Sequence, residues 1–246
     1  MKKIAFLVDG GYFIRRVKYF HRTYFNSHQL TVRNCNDLLY QLVQGHQTEL
    51  NRNELYRIYY YDAPPLDKQL RYPLPLAGQQ TPPTRNCKSE ESYKFQTQLH
   101  KTLAKSRKLA LRMGKLSNHG EWQINSLVLK DLLKGDRNFE DLTNDDFHYQ
   151  CQQKAVDTKI GVDITTITLN KHADTIVLIA SDADFVPAAK LARTHGVDVV
   201  LDPLWGNVDA DLETHIDGKK SFDIVSKLKS VIGSEPDSPP SWWQNS

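Results

Sequence analysis

The chain has little cysteine. Cys35, Cys87 and Cys151 are odd in number, widely spaced and outside any CxxC pattern. That argues against a disulfide framework and a cysteine-built zinc site, and it suits a reducing compartment. Long apolar runs are lacking too. After Lys2-Lys3 the first such run stops at Asp9, too short for a signal peptide or a membrane span. The expectation is a cytoplasmic protein that does not engage membranes. There is no Walker loop, and Asp9-Gly10-Gly11 stands where a phosphatase of another α/β class would carry a DxD nucleophile motif. His119, His148, His172, His195 and His215 fall at no metal-ligand spacing. Internal repeats are absent. A net charge of +3 over 246 residues singles out no partner.

What is present centres on Thr175-Ile-Val-Leu-Ile-Ala-Ser-Asp-Ala-Asp-Phe185. The β-branched run Ile176 to Ile179 reads as a buried strand. It delivers Asp182 and Asp184 where a helix over 185–195 begins, at the strand end where open α/β sheets place their sites. Alternation along an extended tip turns both carboxylates to one side, although each also suits a helix-capping role. A second apolar run, Ile4 to Val8, ends in Asp9. Asp157, in Lys154-Ala-Val-Asp157, lies in the segment that leads into the strand at 175. Like charges gathered together raise one another's pKa, and a hard cation relieves the conflict; Mg²⁺ and Mn²⁺ prefer such oxygen ligands.

Along the chain, the pattern predicts a first strand over 3–8 and a helix over 12–25 with Phe13, Val17, Phe20 and Tyr24 on one face. A second helix is expected from Asn36 or Asp37 to Leu50, then a strand over 54–61. Six prolines between 62 and 87 predict a long irregular loop, with Asp62 as a turn former. A helix follows over 89–105, then strands over 108–116 and 121–129 around a hairpin loop Ser117–Gly120. The acidic, weakly periodic stretch 131–150 reads as a lid, a helical insertion or an excursion. Further elements are a helix over 152–171, strands over 176–180 and 197–201 with Gly196 capping the helix between them, a short helix over 209–215 and a last short element at 221–225. From Gly233 onward the Ser/Pro-rich tail is expected to be mobile, which leaves Trp242-Trp243 unaccounted for. Strands alternating with helices give an α/β fold with a mainly parallel sheet.

Four pieces carry a resemblance: Leu-Val-Asp-Gly-Gly at 7–11, Tyr-Tyr-Tyr-Asp-Ala-Pro at 59–64, Lys-Ala-Val-Asp-Thr-Lys-Ile-Gly-Val-Asp at 154–163, and Ala-Ser-Asp-Ala-Asp-Phe-Val-Pro at 180–187. With them the chain resembles NYN-domain proteins of the LabA-like group, relatives of the PIN-type nucleases. The resemblance implies a PIN-like α/β/α sandwich over residues 1–232, with the Pro-rich loop at 62–87 and an insertion near 117–150, followed by a flexible tail at 233–246. It implies a metal-dependent nuclease acting on RNA rather than DNA. Asp9, Asp182 and Asp184 would ligate Mg²⁺ or Mn²⁺, with Asp157 ligating the ion or orienting a water. Ser181, Lys154 and Asp163 would be supports. The alternative is a non-catalytic RNA-binding or regulatory module of the same fold, and self-association stays open. The chain departs from the pattern where Ser181 runs straight into Asp182 and where Gly10-Gly11 replaces a polar residue.

At ~100° per residue, Val156, Ile160, Ile164 and Ile167 form an apolar stripe. Asp157 and Asp163 flank it roughly 120° apart, so Asp163 is an outer ligand or the partner of Lys159. Two stretches lack acids altogether, 10–36 and 94–115. They make Arg15, Arg16, Lys101, Lys105, Arg107 and Lys108 candidates for nucleic-acid contact. Aromatic residues interleave the first stretch, where they serve as core or as base-stacking groups.

Overall fold

Uninterrupted apolar runs become strands buried on both faces, as parallel sheets require. The computed structural model describes residues 2–51 and 54–243. In chain order the elements are β1 (Lys3–Asp9), α1 (Gly10–Tyr24), α2 (Val32–Glu49), β2 (Glu54–Asp62), β3 (Gln69–Arg71), β4 (Thr84–Asn86), α3 (Glu91–Ala104), β5 (Leu109–Met113) and β6 (Lys115–Ile124). They continue with α4 (Ser126–Lys134), β7 (Phe147–Lys154), α5 (Val156–Leu169), β8 (Thr175–Ile179), α6 (Val186–Thr194), β9 (Asp198–Leu201), α7 (Ala210–Thr214), β10 (Gly218–Lys219) and α8 (Ile224–Ile232). No helix among the described residues is long and apolar enough to cross a membrane.

The chain divides into two compact units. The first holds residues 1–63, 98–114 and 155–246. Its sheet has six strands in the order β10-β9-β8-β1-β2-β5, every pairing parallel. Ile4 to Val8 and Ile176 to Ile179 are fully buried at its centre. Helices α1, α2 and α8 pack together on one face of this sheet and α5 with α6 on the other. The stripe Val156, Ile160, Ile164 and Ile167 is the buried face of α5.

The second unit, residues 64–97 and 115–154, contains two antiparallel ribbons, β3 with β4 and β6 with β7. The Pro-rich stretch is therefore partly ordered: Pro73 to Pro83 forms the loop between β3 and β4. Its anchor is aromatic. Trp122 stacks on Tyr72 at 5.2 Å, meets Tyr149 edge-on at 5.5 Å, and donates its indole N–H to the Arg71 carbonyl at 2.9 Å.

Several sequence expectations change here. The hairpin around Ser117–Gly120 does not form. β5 joins the parallel sheet beside β2, and β6 runs on through those residues with a register shift between Leu116 and Gly120. Its partner β7 lies some two dozen residues further along, and such a separation leaves no local turn signal. The region expected as the second of those strands closes with α4 instead. Residues 152–154 belong to β7, and Ala155, at φ 66°, turns the chain into α5. α2 starts earlier than Asn36, because Thr31 and Asn34 form a reciprocal capping box. The described part of the tail is held in place. The Asp237 backbone N–H donates to the Tyr24 carbonyl at 2.7 Å, its carboxylate accepts from the Ser27 N–H, and the Trp243 indole donates to Asp223 at 2.6 Å. Residues 244–246 of that tail lie outside the described residues.

Gly10 fits because it has no side chain. A Cβ there would lie 2.3 Å from the Tyr60 ring and 2.6 Å from the Tyr61 carbonyl oxygen. A backbone oxygen in a central strand cannot yield, so Gly10→Ala is expected to cost roughly 1–3 kcal/mol, as overpacked sites do. An unchanged urea midpoint would contradict this packing.

Candidate active site

From the centre of the sheet the chain winds in opposite directions. β1 leads through α1 and α2 to β2 on one side, and β8 leads through α6 to β9 on the other. The reversal falls between β1 and β8. In open α/β sheets the crevice outside the carboxyl ends at such a switch point is the usual site.

An aspartate stands at the carboxyl end of each of the four neighbouring strands β2, β1, β8 and β9: Asp62, Asp9, Asp182 and Asp202. The outer two are paired. Asp62 is buried against His100, Oδ2 to Nε2 at 2.7 Å, and accepts the Ala63 N–H at 2.8 Å. Asp202 is fully buried against His46 at 2.9 Å. The inner two have no histidine partner; among the described residues neither Asp9 nor Asp182 forms an ion pair, and the same is true of Asp157 and Asp184.

Each inner carboxylate has a defined seat. Asp9 ends β1 and caps α1, accepting the Tyr12 N–H at 3.0 Å. Asp182 caps a single 3₁₀ turn, Ala183–Phe185, by accepting the Asp184 N–H at 3.1 Å; α6 itself begins only at Val186. Asp157 sits in the first turn of α5. That helix returns to the amino end of β8, so its own N-terminus lies at the carboxyl edge of the sheet. Two of the four acids are raised with neighbouring carboxylates contributing. Burial is the main cause of the raised pKa of Asp9; the Tyr12 N–H and Arg15 oppose it, and the charges of Asp157 and Asp62 add to it. Asp157 is raised first by burial and then by Asp182 and Asp184. Asp157 is thus the acid that links Asp9 on one side with Asp182 and Asp184 on the other.

These shifts fix a sign. A carboxylate whose folded-state pKa is raised lets the folded chain bind more protons than the unfolded one across the window between the two values. Stability from that group falls as pH rises through the window and stays lowered above it. Asp157→Asn is expected to raise the melting temperature at pH 7, with a gain that shrinks as the pH approaches the ordinary carboxylate range near ~4. A melting temperature that falls at pH 7 would contradict the like-charge crowding.

The other expected residues fall in different places. Asp163 is not the partner of Lys159. It accepts from the Tyr61 hydroxyl at 2.8 Å and from Arg112 Nε at 3.1 Å, which makes it a brace between α5, β2 and β5. Ser181 follows β8 in the first unit, close to the Tyr12 hydroxyl. Lys154 is the exposed last residue of β7 and belongs to the second unit. Arg15 is exposed, with its charge felt at Asp9. Arg16 is engaged by backbone, donating to the Leu204 carbonyl at 3.0 Å and the Trp205 carbonyl at 2.9 Å. Lys105, Arg107 and Lys108 precede β5 and lie at the amino end of the sheet, opposite the acids; Lys101 is exposed near the end of α3. Asp202, His46 and His100 escape the sequence reading, and Asp62 reads there only as a turn former, not as one of a buried pair. The repeated pattern of an apolar run closed by Asp, as in Val8-Asp9 and Leu201-Asp202, was the available signal.

The donor set is all oxygen, as a hard cation prefers. Among the described residues no three His, Cys, Asp or Glu side chains converge closely enough to cage an ion. Such a set suits a divalent cation held by one or two carboxylates and waters, and does not make a prebuilt four-carboxylate cage.

The sheet and its carboxyl-edge acids define a class, the PIN-like α/β/α fold. Residues 129–203, under a third of the chain, match the family model described as NYN domain, a nuclease-type family of the PIN-like superfamily. The matched span contains Asp157, Asp182 and Asp184; Asp9 precedes it. An uncharacterised protein of Methanocaldococcus jannaschii is 31% identical over 86 residues, which cover 35% of this chain and 35% of that protein. The match thus spans about a third of the curated relative's length. A crystal structure of a protein of unknown function from Vibrio parahaemolyticus is similar at a TM-score of 0.43 and 14% identity, over 90% of this chain and 93% of that one.

Proposed function

We propose that this protein is a LabA-like, metal-dependent nuclease that hydrolyses phosphodiester bonds in RNA in the cytoplasm, with Mg²⁺ or Mn²⁺ held by the acids at the switch point. In this reading residues 1–232 are one NYN domain that carries the second unit as an insertion. The observation behind it is the contrast along one sheet edge. Asp62 and Asp202 are each hydrogen-bonded to a buried histidine, whereas Asp9, Asp157, Asp182 and Asp184 form no ion pair among the described residues, and neighbouring carboxylates help to raise Asp9 and Asp157.

Asp9 and Asp182 are the best-seated ligands, because backbone N–H groups fix one oxygen of each. Asp184, two residues further, and Asp157, whose pKa its charge helps to raise, complete the negative field. A divalent cation bound there supplies positive charge for the phosphoryl group and lowers the pKa of a water. Asp157, with its raised pKa, suits the role of orienting that water and accepting its proton. Arg15 is placed to hold a substrate phosphate beside Asp9 without filling the site itself.

The test is single-turnover cleavage of end-labelled single-stranded RNA, with and without Mn²⁺. Cleavage that requires the metal and is lost in EDTA supports the proposal; an inert protein that binds RNA refutes it. That second outcome is the alternative, a non-catalytic RNA-binding module, and one observation favours it: no three potential ligands converge among the described residues.

A further inference from the structure

Tyr19, Phe20 and Tyr24 of α1, Trp205 of the loop after β9 and Trp242 of the tail wall a pocket of about 400 Å³, with Arg16 at its edge. That volume lies within the ~300–1,000 Å³ of small-molecule sites. Three of its rings are exposed, Tyr19 by 52%, Trp205 by 64% and Trp242 by 46%, while Phe20 is buried. Exposed aromatic surface alone would be unremarked, but Trp205 is held out at a cost. Leu204 and Trp205 both adopt left-handed backbone, φ 45° and 60°, without being glycine. Such residues persist only where their surroundings over-determine them, and they gather at ligand clamps.

The surroundings here do so. Arg16 ties both carbonyls to α1, the Tyr12 hydroxyl donates to the Pro203 carbonyl, and the Leu204 N–H donates to Asp202 at 2.9 Å. The Trp205 indole N–H donates to the Phe222 carbonyl at 2.7 Å, which fixes the ring plane. Gly206 gives the Tyr12 ring its room, since a Cβ there would strike the hydroxyl. A pre-set ring with an open face is what base stacking needs.

We propose that this pocket receives a nucleobase of a single-stranded nucleic acid, stacked on Trp205 and Tyr19. The proposal rests on the nuclease reading only for the position of that base along the strand. Asp9 caps α1, which reaches Tyr19 ten residues after it, roughly 15 Å at ~1.5 Å per residue. That is about four nucleotides at the ~3.4 Å rise of a stacked strand. Arg16 then serves as the clamp behind the ring, and the phosphates are left to other groups.

The experiment measures anisotropy of a fluorescein-labelled twelve-nucleotide oligoadenylate with the full chain in EDTA at fixed salt, so that binding is read without cleavage. Trp205→Ala and Tyr19→Ala are each expected to weaken binding roughly 5- to 150-fold, the range of one lost stacking contact. Trp205→Phe is expected to recover most of the loss. An abasic oligomer is expected to bind the wild type as weakly as the oligoadenylate binds Trp205→Ala. Unchanged affinity in both folded alanine variants, or AMP bound as tightly as the oligomer, would overturn the proposal. Ring-dependent binding by a wild type that does not cleave with Mn²⁺ would remove the nuclease reading and keep the pocket; metal-dependent cleavage with ring-independent binding would do the reverse.

Discussion

Asp182→Asn protein is expected to cleave single-stranded RNA at least roughly 10²-fold more slowly than wild type, the scale seen when one preorganised electrostatic group is removed from an active site. The substitution is chosen for what it preserves. Asn keeps the oxygen that accepts the Asp184 N–H, so the 3₁₀ turn before α6 retains its cap. The charge is lost, and the second oxygen becomes an NH₂ group that cannot ligate a cation. The same holds for Asp9→Asn, whose remaining oxygen continues to cap α1 through Tyr12. The two variants are therefore expected to fold while both lose the rate. Relief of like-charge crowding makes equal or higher melting temperatures the accompanying sign. Removing both charges is not expected to double the loss on a logarithmic scale, because groups that act as a unit are not additive. Undiminished single-turnover cleavage by the double variant would refute the assignment of both residues.

The second large effect is on stability. Asp202→Ala is expected to cost about 3–5 kcal/mol, as the loss of one partner from a buried pair does. Asp202 and His46 are both fully buried. Besides His46 Nε2, the carboxylate accepts the Ser221 hydroxyl at 2.7 Å and the Leu204 N–H at 2.9 Å. Its removal strands all three donors and unties the loop that carries Trp205. At ~2–4 °C per kcal/mol for a chain of this size, the melting temperature is expected to drop by roughly 6–20 °C. A drop of a degree or two would mean that water replaces the carboxylate at little cost.

Much of this fold was legible in residue pattern because its central strands carry their own signal. Ile4 to Val8 and Ile176 to Ile179 are short and apolar throughout, as strands buried on both faces are. The positions of the acids relative to these strands were legible too: Asp9 closes one run, Asp182 follows the other by three residues, and Asp157 falls in the first turn of α5. What stayed hidden depends on partners distant in sequence. β6 pairs with β7 rather than with a neighbour, so Ser117–Gly120 reads locally as a turn. Asp62 reads as a turn former until α3 brings His100 against it. Arg16 reads as a free cation until the Leu204 and Trp205 carbonyls claim it. Lys105, Arg107 and Lys108 look apt for nucleic acid as a charge run, yet strand direction puts them at the far end of the sheet from the acids. The tail composition suggests mobility, whereas Trp242 and Trp243 find partners in Tyr24 and Asp223.

The most direct measurement is anomalous scattering from crystals soaked in Mn²⁺. The account predicts one strong peak at the carboxyl edge between β1 and β8, within ~2.0–2.2 Å of an oxygen of Asp9 or Asp182, at the distance expected for small hard cations. Manganese bound elsewhere, or an empty edge in fully soaked crystals, would contradict it.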